Sequence, residues 1–108
     1  MDTEPVVVLI TVPSADVGRQ IARALVDERL AACVNLLPPM TSIYRWQGAV
    51  EEESEQLLIC KTRRALAPAL TEAVKSRHPY EVPEIIALPL VAGFQPYLDW
   101  IAAETRPA

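Results

Sequence analysis

Glycine is scarce in this chain, with three in 108 residues. That leaves no P-loop and no G-x-G-x-x-G, the short motifs that wrap backbone around phosphates, so the common nucleotide-binding loops are excluded. Cysteine is scarcer still: Cys33 and Cys60 sit in apolar stretches without C-x-x-C spacing. They read as buried structural thiols in a reducing compartment, not as a disulfide frame, a zinc finger or activated nucleophiles. The single histidine, His78, forms no H-x-x-H or H-x-x-x-H pair. Basic charge is thin, because ten Lys and Arg against fourteen Asp and Glu leave a net charge of −4, without the positive footprint that nucleic acid or anionic lipid attracts. No uncharged apolar run approaches the ~18 residues of a membrane span. The first residues, Met1 to Pro5, are acidic and lack the basic start of a secretory signal. The expectation is a cytoplasmic protein that partners neither nucleic acid nor membrane.

Apolar residues are plentiful. At 51% hydrophobic, residues 1–108 suit a single domain able to fold without disulfides or a structural metal. Val6 to Val12 is a continuous β-branched run, as expected of a central strand covered on all sides. Ser14 or Asp16 can cap a following helix whose apolar positions Val17, Ile21, Ala24 and Leu25 recur at helical spacing and which ends near Leu30. Strand composition resumes at Cys33 to Leu37, is interrupted by Pro38-Pro39, and continues through Thr41 to a turn at Gln47-Gly48. Val50 to Thr62 then returns, so these segments read as one long β-hairpin. Leu66, Leu70, Ala73 and Val74 mark a second helix, with Pro68 in its first turn, that stops at His78-Pro79. Ile85 to Leu90 is a last strand, whose Pro89 demands a strand end or an edge. Gln95 to Glu104 forms a short final helix.

That order predicts an α+β fold of the split βαβ, ferredoxin-like kind, an antiparallel sheet with both main helices on one face. Hairpin arms of roughly a dozen residues are about twice the usual ~5–6. An overhanging edge rich in Leu, Ile, Tyr and Trp is an aggregation hazard unless symmetric pairing with other subunits removes it, so a homo-oligomer is expected.

The most informative stretch is His78-Pro79-Tyr80-Glu81-Val82-Pro83-Glu84, a polar loop stiffened by two prolines. Together with Leu30-Ala31-Ala32-Cys33-Val34-Asn35, Ser42-Ile43-Tyr44-Arg45-Trp46-Gln47-Gly48, Lys61-Thr62 and Tyr97-Leu98-Asp99-Trp100, it makes residues 6 to 102 resemble the CutA family of divalent-cation tolerance proteins. The resemblance implies a ferredoxin-like subunit, a tight trimer built through the hairpins in the manner of PII signalling proteins, and a link to Cu(II) or another divalent cation. In members credited with copper binding, the proposed ligands fall here at Ile10, Arg77 and His78, of which only His78 can ligate a metal.

Each candidate residue has a plainer reading beside the functional one. His78, with Glu81 and Glu84, can contribute to a composite metal site, since imidazole and carboxylate suit Cu(II) or Zn(II). Otherwise it is a histidine satisfying the end of the second helix. Glu51, Glu53 and Glu55 alternate onto one strand face, solvated or ion-paired, or bridged by a cation. Tyr44, Trp46, Tyr80 and Trp100 suit core or subunit packing, or, with Lys61 as an anion-binding element, a ligand cleft between subunits. The leading expectation is a trimeric metal-response protein that binds metal or a small ligand at such clefts. The alternative is a PII-like scaffold sensing an anionic metabolite and signalling to a partner protein. No catalytic constellation is evident beyond a carboxylate pair, Glu81 and Glu84, so enzymatic activity is not expected.

Overall fold

The computed structural model describes residues 3–108; Met1 and Asp2, which open the acidic first stretch, lie outside the described residues. Its elements run β1 (Pro5–Val12), α1 (Ala15–Asp27), β2 (Cys33–Leu36), β3 (Met40–Trp46), β4 (Ala49–Arg63), a 3-10 turn (Arg64–Leu66), α2 (Ala67–Lys75), β5 (Ile85–Pro89) and α3 (Gln95–Glu104). The strands form an antiparallel sheet in the order β2-β4-β1-β5, and β3 pairs with the part of β4 that runs beyond it. β1 is central, as its unbroken apolar run requires. Pro89 ends β5, the edge strand, where its missing N–H costs no ladder bond.

One face of the sheet carries the core. Val6, Val8, Ile10 and Val12 of β1, with Leu58 and Cys60 of β4, pack against Ile21 and Leu25 of α1 and Leu70 and Val74 of α2, so both main helices cover the same face. Alternation along β1 sends Val7 and Leu9 to the opposite face, where they are only half-buried and lie across from Leu88 and Ile86 of β5, 47% and 49% exposed. The expectation of a strand covered on both sides is therefore met on one side within a single chain. α3 touches that second face at its Cys33 end, tethered by Arg63 Nε donating to Thr105 Oγ1 (3.0 Å) and by Arg29 donating to the Ala103 carbonyl (2.8 Å).

The helix boundaries follow from local chemistry. Ser14 is the N-cap of α1: its backbone is extended (φ −155°) and its hydroxyl accepts from the Val17 N–H at 3.3 Å. Asp16 falls inside the first turn, where its charge complements the helix dipole. α1 stops at Asp27, short of Leu30, because Arg29 turns left-handed (φ 58°) and the Leu30 N–H closes back onto the Leu25 carbonyl. That is a Schellman-type ending made without glycine. α2 likewise ends at Lys75, before His78, with Pro68 in its first turn.

The hairpin arm gives the chain its elongated outline of 44 × 26 × 23 Å. Gln47 and Gly48 both have positive φ (48° and 82°), and Trp46 pairs with Ala49 across them, the two-residue turn whose twist matches antiparallel strands. From Ala49 to Glu55, β4 has β3 as its one partner strand; from Gln56 to Arg63 it is held by β1, with β2 on its other side along Leu58–Lys61.

Candidate functional site

Where the arm leaves the body, the 78–84 loop folds back against it. His78 anchors this junction. Its ring is buried, Nε2 lies 2.8 Å from the Thr11 carbonyl at the end of β1, and Nδ1 accepts the Tyr80 N–H at 3.1 Å. A ring nitrogen facing a carbonyl must carry the proton and one accepting an N–H must not, so the imidazole is the neutral Nε2–H tautomer with both nitrogens committed. With both ring nitrogens committed, His78 offers a metal no free lone pair unless the junction opens. The helix-end reading is amended, because the carbonyl it satisfies belongs to β1 and not to α2. The other two copper positions of the resemblance are likewise occupied: Ile10 is fully buried in the core, and Arg77 donates to the Glu28 carboxylate at 2.7 Å.

Tyr80 completes the junction. Its hydroxyl donates to Glu55 Oε2 at 2.9 Å, and Glu55 is 7% exposed although it belongs to the arm. Burial, then this hydrogen bond, then the carboxylate's negative charge push the Tyr80 phenol well above its ordinary pKa. Across the arm, Glu51, Glu53 and Glu55 lie opposite Tyr44, Ser42 and Met40, so the acidic ladder and one face of β3 share a side. Loss of solvation and the charges of Glu53, Glu51 and Glu55 likewise raise the Tyr44 phenol.

These groups line a groove of about 640 Å³ between arm and loop. Ser42, Tyr44 and Trp46 form the β3 wall, Glu55 and Thr11 the floor, and Tyr80, Glu81 and Glu84 the opposite side. Glu81 and Glu84 are exposed at its rim. Among the described residues no Lys, Arg or His lines the groove, and no group of three or more His, Cys, Asp and Glu gathers as a metal cluster.

The five residues expected in one ligand cleft divide into two places. Tyr44, Trp46 and Tyr80 share the groove. Lys61 and Trp100 belong to the second sheet face, where Lys61 hydrogen-bonds Asn35 Oδ1, Cys33 lies opposite Lys61, and the Tyr97 and Trp100 rings pack in a tilted pair with centroids 5.4 Å apart. Distance along the strand, not parity, explains the division: Lys61 and Glu55 point to the same face of an ideal strand, but six residues (about 20 Å) of rise separate them. Within one chain the expected anion-binding lysine is thus remote from the aromatic groove. Of the two thiols, Cys60 is buried, with its pKa pushed up to about 12 chiefly by that burial, whereas Cys33 is half-buried. Glu55 as the buried partner of Tyr80, and Thr11 as the acceptor for His78, were not marked by sequence. The one available signal for Glu55 is its place at the junction of the acidic and apolar halves of β4.

The CutA1 divalent ion tolerance protein model matches residues 6–104. The chain is 61% identical over 99 residues to the divalent-cation tolerance protein CutA of Thermus thermophilus, covering 92% of this chain and 96% of that protein. It is 55% identical over 97 residues to protein CutA of Homo sapiens, covering 90% of this chain but 54% of that longer protein. Among solved structures, the CutA1 of Oryza sativa superposes with a TM-score of 0.95 at 46% identity, covering 99% of this chain and 98% of that one. The Thermus thermophilus structure superposes at 0.93 with 59% identity, covering 94% and 99%. A family match across nearly the whole chain, joined to the same fold in these relatives, places the protein in the CutA1 divalent ion tolerance family.

Proposed function

We propose that the protein acts in the cytoplasm as a homotrimeric, non-enzymatic binding protein of the divalent-cation response, with the arm groove as its functional surface at the boundary between subunits. The antiparallel strand order β5-β1-β4-β2, with both main helices on one face, supports reading the subunit as a ferredoxin-like split βαβ unit. The observation that carries the reading is an apolar sheet face without full cover in one chain. Val7 and Leu9 stand half-buried beside exposed Ile86 and Leu88, on the same molecule that projects the aromatic, acidic arm. Symmetric association covers that face and brings the grooves next to a neighbour, where Glu81 and Glu84 offer oxygen ligands to Cu(II) or another divalent cation.

Light scattering at micromolar concentration is expected to give three times the chain mass, and titration with Cu(II) against a competing chelator is expected to report binding that weakens in the Glu81→Gln, Glu84→Gln double variant while His78→Ala acts only through stability. A single-chain mass overturns the assembly. Copper binding unchanged by the double variant overturns the groove as the cation surface. The regulator alternative needs Lys61 of a neighbouring subunit to reach the groove, because within one chain Lys61 does not line it.

A further inference from the structure

The groove is too large and too aromatic for a metal ion alone. Its volume of about 640 Å³ is that of a small-molecule site. A hard dication takes oxygen donors and water and gains little from aromatic walls. Here His78 has both ring nitrogens committed, and no set of three ligands converges among the described residues. The rings of Tyr44, Trp46 and Tyr80 nevertheless line the space, with Ile43 and Val82 adding apolar surface.

Charge gives the groove its sign. Glu55, Glu81 and Glu84 line it, Glu51 and Glu53 extend the same field along the arm, and no cationic side chain among the described residues opposes them there. Glu55 sets this apart from a solvated acidic surface. It is buried, it lines the groove, and the Tyr80 hydroxyl holds it there through Oε2. A weakly hydrated organic cation satisfies both features: its charge meets the carboxylates and the ring faces, and its alkyl groups meet apolar walls.

We infer that the groove binds a small alkylated ammonium ion, held by the Tyr44, Trp46 and Tyr80 rings and by the Glu55, Glu81 and Glu84 carboxylates. This rests on the groove being the functional surface and adds the chemical class of its ligand.

Choline and its uncharged carbon isostere 3,3-dimethylbutan-1-ol test this directly, because they match in shape and differ in charge. Titrated at constant ionic strength into full-length protein carrying Trp100→Phe, so that Trp46 is the reporter, choline is expected to change the fluorescence saturably and the isostere to bind at least about tenfold more weakly. Glu81→Gln with Glu84→Gln, both exposed positions, is expected to weaken choline severalfold without altering the fold or the isostere's affinity. Trp46→Leu is expected to abolish choline binding, followed by the ligand's own methyl resonances. Equal affinity for the two probes, no saturable response to choline, or indifference to the glutamate substitutions overturns the inference. Mass and copper titration of the same samples report separately on the trimer and the cation surface, so either proposal can fail alone.

Discussion

The two halves of β4 behave as different materials. Residues 56–63 lie beside β1, with β2 flanking part of their length, and place Leu58, Cys60 and Thr62 in a core where none is measurably exposed. Residues 49–55 share one partner strand, carry the acidic ladder, and leave Val50 63% exposed at the tip. One continuous strand therefore joins a scaffold held by burial to an arm held by its turn and by a single buried carboxylate. A rigid support and an accessible groove are obtained from the same ladder of hydrogen bonds, and mutations should act very differently on the two halves.

The largest contrast is expected between Leu58→Ala and Val50→Ser. Deleting the Leu58 side chain leaves a cavity under both helices and should cost about 2–5 kcal/mol, whereas the tip substitution should stay within about 0.5 kcal/mol; urea denaturation of both proteins measures the difference, and equal losses would mean that the arm is as tightly packed as the body. Next comes the tie between the halves. Tyr80→Phe removes a hydrogen bond to a buried carboxylate and should cost about 1.5–3 kcal/mol, with faster amide exchange in the 78–84 loop. A double cycle with Glu55→Gln should show the two effects to be strongly non-additive.

Gly48→Ala should cost about 1 kcal/mol through backbone conformation alone, since its φ is 82° and a Cβ there would touch nothing within 4 Å. The resulting loss should be larger in the stability of the arm, followed by exchange at Trp46 to Val50, than in the core. Smallest at neutral pH is the effect of Cys60 titration. Its thiol is raised from 9.0 to about 12, chiefly by burial. The unfolded chain gives up this proton first, so the Cys60 contribution is complete below pH 9 and is lost as pH rises from about 9 through about 12. Cys60→Ala should flatten that alkaline slope in stability measured against pH, and in native protein a thiol reagent should reach Cys60 only through unfolding.

Much of this architecture is legible along the chain. The β-branched run Val6 to Val12 needs a central place in a sheet, Ser14 supplies the cap actually used, and Gln47-Gly48 is the turn. Pro89 stops β5 at its end. The helix ends were less legible: α1 closes through a left-handed Arg29, a conformation that glycine or asparagine usually announces. The site was legible in part. Tyr44 and Trp46 share a face because strand side chains alternate, and the two-proline loop marked Tyr80, Glu81 and Glu84 as a rigid polar group. Within one chain Lys61 and Trp100 lie apart from them, because local pattern gives a residue's side of a strand, not its distance from another element.

The sequence by itself determined the helices and strands, the caps and turn, the absence of a phosphate loop, the family and the acidic character of the arm, because each depends on periodicity, backbone preference or composition within a short window. Tertiary structure alone decided that the His78 ring spends its nitrogens on Thr11 and Tyr80, that Glu55 is buried against Tyr80, and that Lys61 is tied to Asn35 of the neighbouring strand. Those outcomes depend on how strands distant in sequence align and how a loop settles across them. A hydrogen bond spanning 67 residues, as from His78 to Thr11, leaves no mark in either residue's neighbourhood until the chain has folded.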